Sequence, residues 1–184
     1  MATEVDQAKT AMDKAIEATE NNFIGIRTGR ANPALLNGIV VNYYGAPTPL
    51  KQLATIGVPE SRTLSVSPFD QSQAAAIEKA IRDSDLGVNP NRDGNVIRIT
   101  LPELTEERRR DYVKIAKEKA EEGKISVRNI RRKTREAIEK AQKDGDMSED
   151  DRDRLYKELD AITKKSSDAI DSLLASKEKE ILSI

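Results

Sequence analysis

From Val5 the apolar positions recur at steps of three and four: Val5, Ala8, Met12, Ala15/Ile16, Thr19, Phe23 and Ile26. That spacing is the narrow seam of one helix in a bundle. Thr3, with Asp6 three positions on, reads as its start, a capping box with the shorter acid in place of Glu. The pattern predicts a helix running to about Arg27 and stopping near Gly29, with Pro33 blocking an early restart. Asn21 and Asn22 weaken its middle, because both are poor helix formers.

Between Ala31 and Leu104 the period changes from helical to alternating. Gly38–Tyr44 (GIVVNYY) is β-branched and aromatic and predicts a strand, followed by a turn at Gly45, Pro47 and Pro49. Leu53–Val58 and Arg62–Ser67 read as two more strands, with Pro59 and Glu60 as turn residues between them. Leu64 and Val66 alternate with Thr63, Ser65 and Ser67, as one buried face requires. Asp70 is placed to cap a short helix from about Gln73 to Ser84, with Ala76, Ile77, Ala80 and Ile81 inward. Leu86–Gly94 is dense in turn signals, and Val96, Ile97 and Ile99 predict a last strand before Pro102.

A second helical seam follows: Tyr112, Ala116, Ala120, Gly123, Val127, Ile130, Thr134, Ala137 and Ala141. It begins near Thr105, where Glu106 and Glu107 suit the positive end of the helix dipole. At 1.5 Å per residue this helix is roughly 55–60 Å long. Gly123 within the seam has two readings: a close approach by a neighbouring helix, or simple tolerance. Asp144, Gly145 and Asp146 break the chain, and Ser148 with Asp151 starts a third helix. Its seam is Leu155, Leu159, Ile162, Ser166, Ala169/Ile170, Leu173, Lys177 and Ile181.

Long helices with narrow seams need partners, since most helix stability comes from burying the apolar face. A short turn makes the last two helices antiparallel neighbours, and the first has the same kind of seam. The expected fold class is therefore α+β: an elongated antiparallel three-helix bundle from residues 1–30 and 105–184, with a small α+β domain, residues 31–104, inserted at one end. The expected shape is an L, or a rod with a knob. Proline and little apolar bulk mark both connections, so Arg30, Ala31, Pro33, Pro102, Leu104 and Thr105 form the expected hinge.

Composition narrows the chemistry. Charged residues make up 34% of the chain and apolar residues 37%, a balance that long exposed helices explain. There is no Cys and no His. Disulfide frameworks, thiolate metal sites, the commonest general base and the usual zinc ligand are thereby removed. Carboxylate or lysine chemistry is left open, but no pocket signature accompanies the scattered acids. No catalytic residue, metal site or cofactor is expected. The N-terminus has no signal-like apolar stretch, and no segment approaches the ~18 apolar residues of a membrane span. A soluble, cytoplasmic monomer is the expectation.

The net charge of −1 by itself argues for no nucleic-acid partner. Its distribution says more: Thr105–Asp144 carries a balance of +5 and Gly145–Ile184 a balance of −4. Inside the basic segment, Lys124–Arg135 (KISVRNIRRKTR) holds six basic residues and no acidic one. Arg128, Arg131, Arg132 and Arg135 fall at i, i+3, i+4 and i+7, on one helix face beside the seam residues Val127, Ile130 and Thr134. Guanidinium forks match phosphate oxygens two at a time, so such a ridge is suited to gripping phosphates. The competing reading is the solvated face of a long helix.

Other motifs divide similarly. Arg27–Ala31 (RTGRA) presents two arginines, Arg27 and Arg30, either to phosphate or to the helix C-terminal dipole. Arg108–Arg110 lies at the wrong end for the dipole but has Glu106, Glu107 and Asp111 as neighbours. Gly87–Gly94 lacks the spacing of a nucleotide loop and reads as a surface turn. Tyr43 and Tyr44 are candidates for base stacking, yet one of two adjacent strand residues must face inward. The acids Glu149, Asp150, Asp151 and Asp153 fit a helix N-terminus better than a cation site.

Several of these stretches together resemble the bacterial ribosome recycling factor family: RTGRA at Arg27–Ala31, GIVVNYYGAPTPLKQLA at Gly38–Ala54, SDLGVNPN at Ser84–Asn91, LPELTEERR at Leu101–Arg109 and VRNIRR at Val127–Arg132. The resemblance covers essentially the whole chain in matching order. It implies a three-helix bundle with an inserted β/α/β domain. It further implies a factor that binds the post-termination ribosome across the intersubunit face through large-subunit rRNA. Elongation factor G with GTP would then drive it to part the subunits, and the factor would have no catalysis of its own. By the same resemblance Arg131 is the principal rRNA-contacting residue, with Arg128 and Arg132 beside it and Arg27 and Arg30 adjoining. The ridge reading adds Arg135 and Lys124. The alternative from another class is a long-helix scaffold or chaperone-like protein-binding module, which requires an exposed apolar stripe beyond the seams.

Overall fold

The computed structural model describes residues 3–26 and 28–183. In chain order the helices are α1 (Glu4–Ile24), α2 (Leu50–Leu53), α3 (Ala74–Arg82), α4 (Glu106–Lys143) and α5 (Glu149–Leu182). The strands are β1 (Val40–Tyr43), β2 (Ala46–Pro49), β3 (Ala54–Glu60), β4 (Thr63–Pro68), β5 (Pro90–Asp93) and β6 (Val96–Thr100). Contacts group the chain into two compact units, Met1–Ile26 with Arg109–Ile184, and Arg27–Arg108. This division falls four residues from the sequence-predicted boundary at each connection.

The first unit is a bundle of α1, α4 and α5, with α4 antiparallel to both of the others. Its core is aliphatic: Val5, Ala8, Met12, Ala116, Ala120, Val127, Ile138, Leu155, Leu159, Ile170 and Ile181 are buried, with Phe23 as the one buried ring. The helix starts are those read from sequence. Thr3 and Asp6 form a complete reciprocal capping box. Thr105 Oγ1 accepts from the Arg108 N–H at 3.2 Å, and Ser148 Oγ accepts from the Asp151 N–H at 3.1 Å. The α4–α5 turn is a Schellman motif: the Asp146 N–H donates to Ala141 O at 2.9 Å and the Gly145 N–H to Gln142 O at 3.1 Å. Gly145 takes φ 83°, which only glycine adopts without strain.

Two expectations for this unit are corrected. α1 ends at Ile24 rather than near Arg27, because Gly25 takes the cap position and the Ile26 N–H closes a tight turn onto Phe23 O at 3.0 Å. Ile26 stays buried although it lies beyond the helix. In α4 the seam passes through Ile138, not Ala137, which is exposed. A straight helix drifts away from a strict seven-residue repeat, so after Thr134 a step of four keeps the larger side chain inward.

Gly123 resolves to the close-approach reading. A Cβ built there would lie 2.2 Å from Thr19 Oγ1 on α1 and 3.2 Å from Ile170 Cδ1 on α5. Thr19 is itself buried, so α1, α4 and α5 come together closely at this glycine.

The second unit is built on a four-stranded antiparallel sheet of order β3-β4-β6-β5, with a separate β1–β2 hairpin. Leu64 and Val66 of β4 and Ile97 and Ile99 of β6 are fully buried, together with Ile77 and Ile81 of α3. α3 itself is shorter than predicted, preceded by a 3-10 turn (Gln71–Gln73) that Asp70 caps through the Ser72 N–H. The turn-rich stretches hid two strands and the end of a third. β2 contains Pro47 and Pro49, which a two-stranded ribbon tolerates because it has no inner ladder to interrupt. β5 lies at a sheet edge and buries only Pro90, so no alternation marks it. β3 continues through Pro59 and Glu60 on the opposite edge, past an irregularity between Gly57 and Glu60. The one-turn α2 between β2 and β3 was also unread; it buries Leu50.

The predicted hinge residues all fall within this unit's segment; one of them, Ala31, and the neighbour of another, Leu101, are tied by backbone hydrogen bonds. The Ala31 N–H donates to Ser61 O at 2.7 Å, and the Leu101 N–H, next to Pro102, donates to Arg62 O at 2.8 Å. Both connecting stretches are thus pinned to the β3–β4 turn. Pro33 opens a 3-10 turn (Pro33–Leu36) that Asn32 caps. Gly29, φ 77°, lies beside Leu104.

Candidate nucleic-acid interface

α4 carries five of the seven candidate contact residues, Lys124, Arg128, Arg131, Arg132 and Arg135, within three turns. Burial of Val127 and half-burial of Ile130 and Thr134 fix the helix rotation. Arg131 and Arg135 then meet side chains of α5, while Arg128 and Arg132 pair along α4 itself. Arg30 is exposed and belongs to the other unit. Arg27 lies outside the described residues.

Each ridge cation has an intramolecular partner. Arg131 donates from Nε to Asp160 Oδ1 of α5 at 2.9 Å, and its Nη2 stands 2.8 Å from the same oxygen. Lys124 meets Asp171 of α5 at 2.9 Å and Glu121 at 3.8 Å. Arg128 pairs with Glu121. Arg132 reaches Glu136 of its own helix at 3.5 Å. Arg135 forms no salt bridge among the described residues; its guanidinium lies over the Tyr156 ring, 4.3 Å from the centroid. These are solvated contacts: the Arg131 and Asp160 side chains are 38% and 54% exposed. Exposed pairs of this kind contribute about 0–1 kcal/mol, so a phosphate can displace or share them at little cost.

The partners on α5 were not foreseen from sequence. A signal existed. Lys117, Lys124 and Arg131 repeat every seven residues along α4, and they face Glu178, Asp171 and Asp160 on α5. This is the interhelical charge ladder of antiparallel helices, and it explains part of the opposite charge balance of the two segments.

The tyrosine pair and the acidic cluster make local contacts. Tyr43 is half-buried and Tyr44 is exposed, their rings edge to face at 4.7 Å. Asp151 is engaged by its cap and by Arg154 at 3.2 Å. No group of three or more metal-ligating side chains occurs among the described residues. Carboxylates held below their ordinary range owe it to caps or helix-surface pairs, not to a cleft. The Asp6 carboxylate is lowered by the Thr3 backbone and hydroxyl, Asp70 by Ser72, and Glu139 by Lys143. The arrangement offers a rigid, water-facing row of guanidiniums and nothing that resembles an acid–base pair around a reacting atom.

Known proteins agree with this geometry over nearly the full length. A family model described as ribosome recycling factor matches residues 19–182. A protein of Bifidobacterium adolescentis named ribosome-recycling factor is 70% identical over 184 residues, covering 100% of both chains. One of the same name from Kineococcus radiotolerans is 55% identical over 97% of this chain and 96% of its own. A solution structure of the ribosome recycling factor superposes with a TM-score of 0.80 at 45% identity, covering 98% of this chain and 96% of that one. A second structure describes the T. thermophilus ribosome recycling factor and E. coli elongation factor G bound to the E. coli post-termination complex; it matches with a TM-score of 0.67 at 47% identity and 96% coverage of each chain. A helical bundle with a small sheet unit thus recurs in solved structures of one name. This chain belongs to the ribosome recycling factor family.

Proposed function

We propose that this chain binds the post-termination ribosome at the intersubunit face through large-subunit rRNA. With elongation factor G and GTP it then splits the ribosome into subunits, leading to release of mRNA and tRNA. The observation that carries the reading is the family match together with a relative described in complex with elongation factor G on the post-termination ribosome. The α4 ridge supplies the physical means. Contacts to phosphates position a protein on RNA without reading its sequence. A helix of 38 residues, about 57 Å long, reaches between separated RNA elements as a compact globule does not. Arg131, Arg128 and Arg132, with Lys124 and Arg135, carry the RNA contact in this proposal, and Arg27 and Arg30 are included in it as further contact residues. The protein acts in the cytoplasm, as a monomer and without cofactor or catalysis of its own. The two connections, around Arg30, Ala31 and Pro33 and around Pro102, Leu104 and Thr105, let the units move under the push of elongation factor G.

The scaffold alternative gains no support from the bundle surface. Ile115 and Ile125, exposed on α4, are about 15 Å apart along the helix and form no continuous stripe.

The test is co-sedimentation with 70S ribosomes across a salt series, for wild type and Arg131→Ala, followed by addition of elongation factor G and GTP. Binding should weaken with salt and weaken further in the variant, with helicity unchanged. Absence of binding at low salt overturns the reading.

A further inference from the structure

Two of the ridge arginines are held differently from the others. Arg128 and Arg132 pair with acids of their own helix, Glu121 and Glu136. Arg131 and Arg135, one turn apart on α4, are instead met by Asp160 and Tyr156, one turn apart on the antiparallel α5. One pin is charged and the other is neutral.

We propose that Asp160 and Tyr156 are positioning residues for RNA binding, which set the Arg131 and Arg135 guanidiniums in their docking orientation before a phosphate arrives. The proposal rests on the ridge reading above.

Asp160 takes only one edge of the Arg131 fork. Nε and Nη2 converge on a single carboxylate oxygen, and Nη1 has no partner among the described residues. The guanidinium is thereby tethered through Nε and Nη2, which leaves Nη1 for another acceptor. The Tyr156 ring holds the Arg135 guanidinium by a contact over its face, the central carbon 4.3 Å from the ring centroid, and so limits where that side chain can go. An unpinned arginine must surrender its rotamer freedom when it binds, and a pinned one has already done so.

The opposing effect is Coulombic. Asp160 places a negative charge beside the ridge, and a phosphate is repelled by it. The Asp160 side chain is 54% exposed, so water and salt screen that repulsion. Geometry acts at contact distance and is not screened, which is why positioning should win. Tyr156 carries no charge, so its contribution can only be one of orientation and packing.

The experiment measures 70S binding for wild type, Arg131→Ala, Asp160→Ala, Asp160→Ala/Arg131→Ala, Tyr156→Leu and Tyr156→Phe, each at several salt concentrations. Positioning predicts that Asp160→Ala, which leaves no oxygen to hold the guanidinium, binds roughly threefold to tenfold more weakly, although it removes a negative charge. Its salt dependence should match wild type, because the number of phosphates contacted is unchanged, whereas Arg131→Ala should flatten the slope by about one contact. Asp160→Ala should add nothing in the Arg131→Ala background. Tyr156→Leu should weaken binding and Tyr156→Phe, which keeps the ring, should not. If Arg131→Ala weakens binding while Asp160→Ala binds as well as wild type or better, Asp160 is a competitor and the proposal is overturned. If Arg131→Ala itself binds normally, the ridge reading fails and the positioning role falls with it.

Discussion

Thr19 and Gly123 share one space: a methyl group on Gly123 would stand 2.2 Å from Thr19 Oγ1. The Thr19 hydroxyl cannot readily swing away, because it donates to Ala15 O at 2.9 Å within its own helix. Alanine is the better helix former by about 1 kcal/mol, but overpacking a tight core costs about 1–3 kcal/mol. Gly123→Ala is therefore expected to lower the thermal midpoint of the bundle, and Thr19→Ala in the same chain should recover most of the loss. Circular dichroism melts of the single and double variants decide it; a stabilised Gly123→Ala would show that α1 and α4 separate freely.

Tyr44 and Gly45 form the two-residue turn of the β1–β2 hairpin, with φ of 48° and 85°. Such turns suit Asn-Gly, and a tyrosine there is strained. The exposed hydrogen bond from Tyr44 Oη to Asp70 Oδ2, at 3.2 Å, offsets little of this. Tyr44→Asn should stabilise the inserted unit by about 0.5–1 kcal/mol, read as a higher urea midpoint. A lower midpoint would mean that the ring stabilises the hairpin by more than the turn strains it.

Asp6 closes the capping box of α1, and its carboxyl is held below the ordinary aspartate value chiefly by the Thr3 backbone N–H and then by the Thr3 hydroxyl. A carboxylate depressed in the folded chain stabilises it fully above the unfolded value, and the contribution is lost as pH falls through the folded one. The start of α1 should therefore loosen in acid, below the ordinary aspartate range. In Thr3→Ala the Asp6 titration, followed by NMR, should move upward. No movement would remove the hydroxyl from the cause.

A covalent cross-link between the two units is expected to block subunit splitting more than ribosome binding. The ridge lies wholly on α4, so binding does not need the units to move, whereas the proposed push by elongation factor G does. Subunit separation followed by light scattering, beside co-sedimentation of the same cross-linked protein, is the check. Unimpaired splitting would sink the hinge.

Much of the architecture was readable in the chain because its signals were local. Ser148 and Thr3 announced helix starts, and the seam from Val5 to Ile26 stated which face is buried. β2 and β5 were unreadable for a physical reason: edge strands need neither alternation nor a full set of N–H donors, so Pro47, Pro49 and Pro90 are tolerated there. The arginines of the ridge were visible as a run, but Asp160 and Tyr156 were not, because a cross-helix partner depends on how two helices are set against each other.

That setting is decided at the Schellman turn around Gly145, well away from the ridge. Adding or removing one residue there would rotate α5 by about 100° and slide it by about 1.5 Å relative to α4. The aliphatic core would resist, and whichever compromise followed, Asp160 and Tyr156 would no longer arrive opposite Arg131 and Arg135. The turn acts as a phase lock. It touches no RNA in the proposed mechanism, yet its length determines whether the guanidiniums are presented in step.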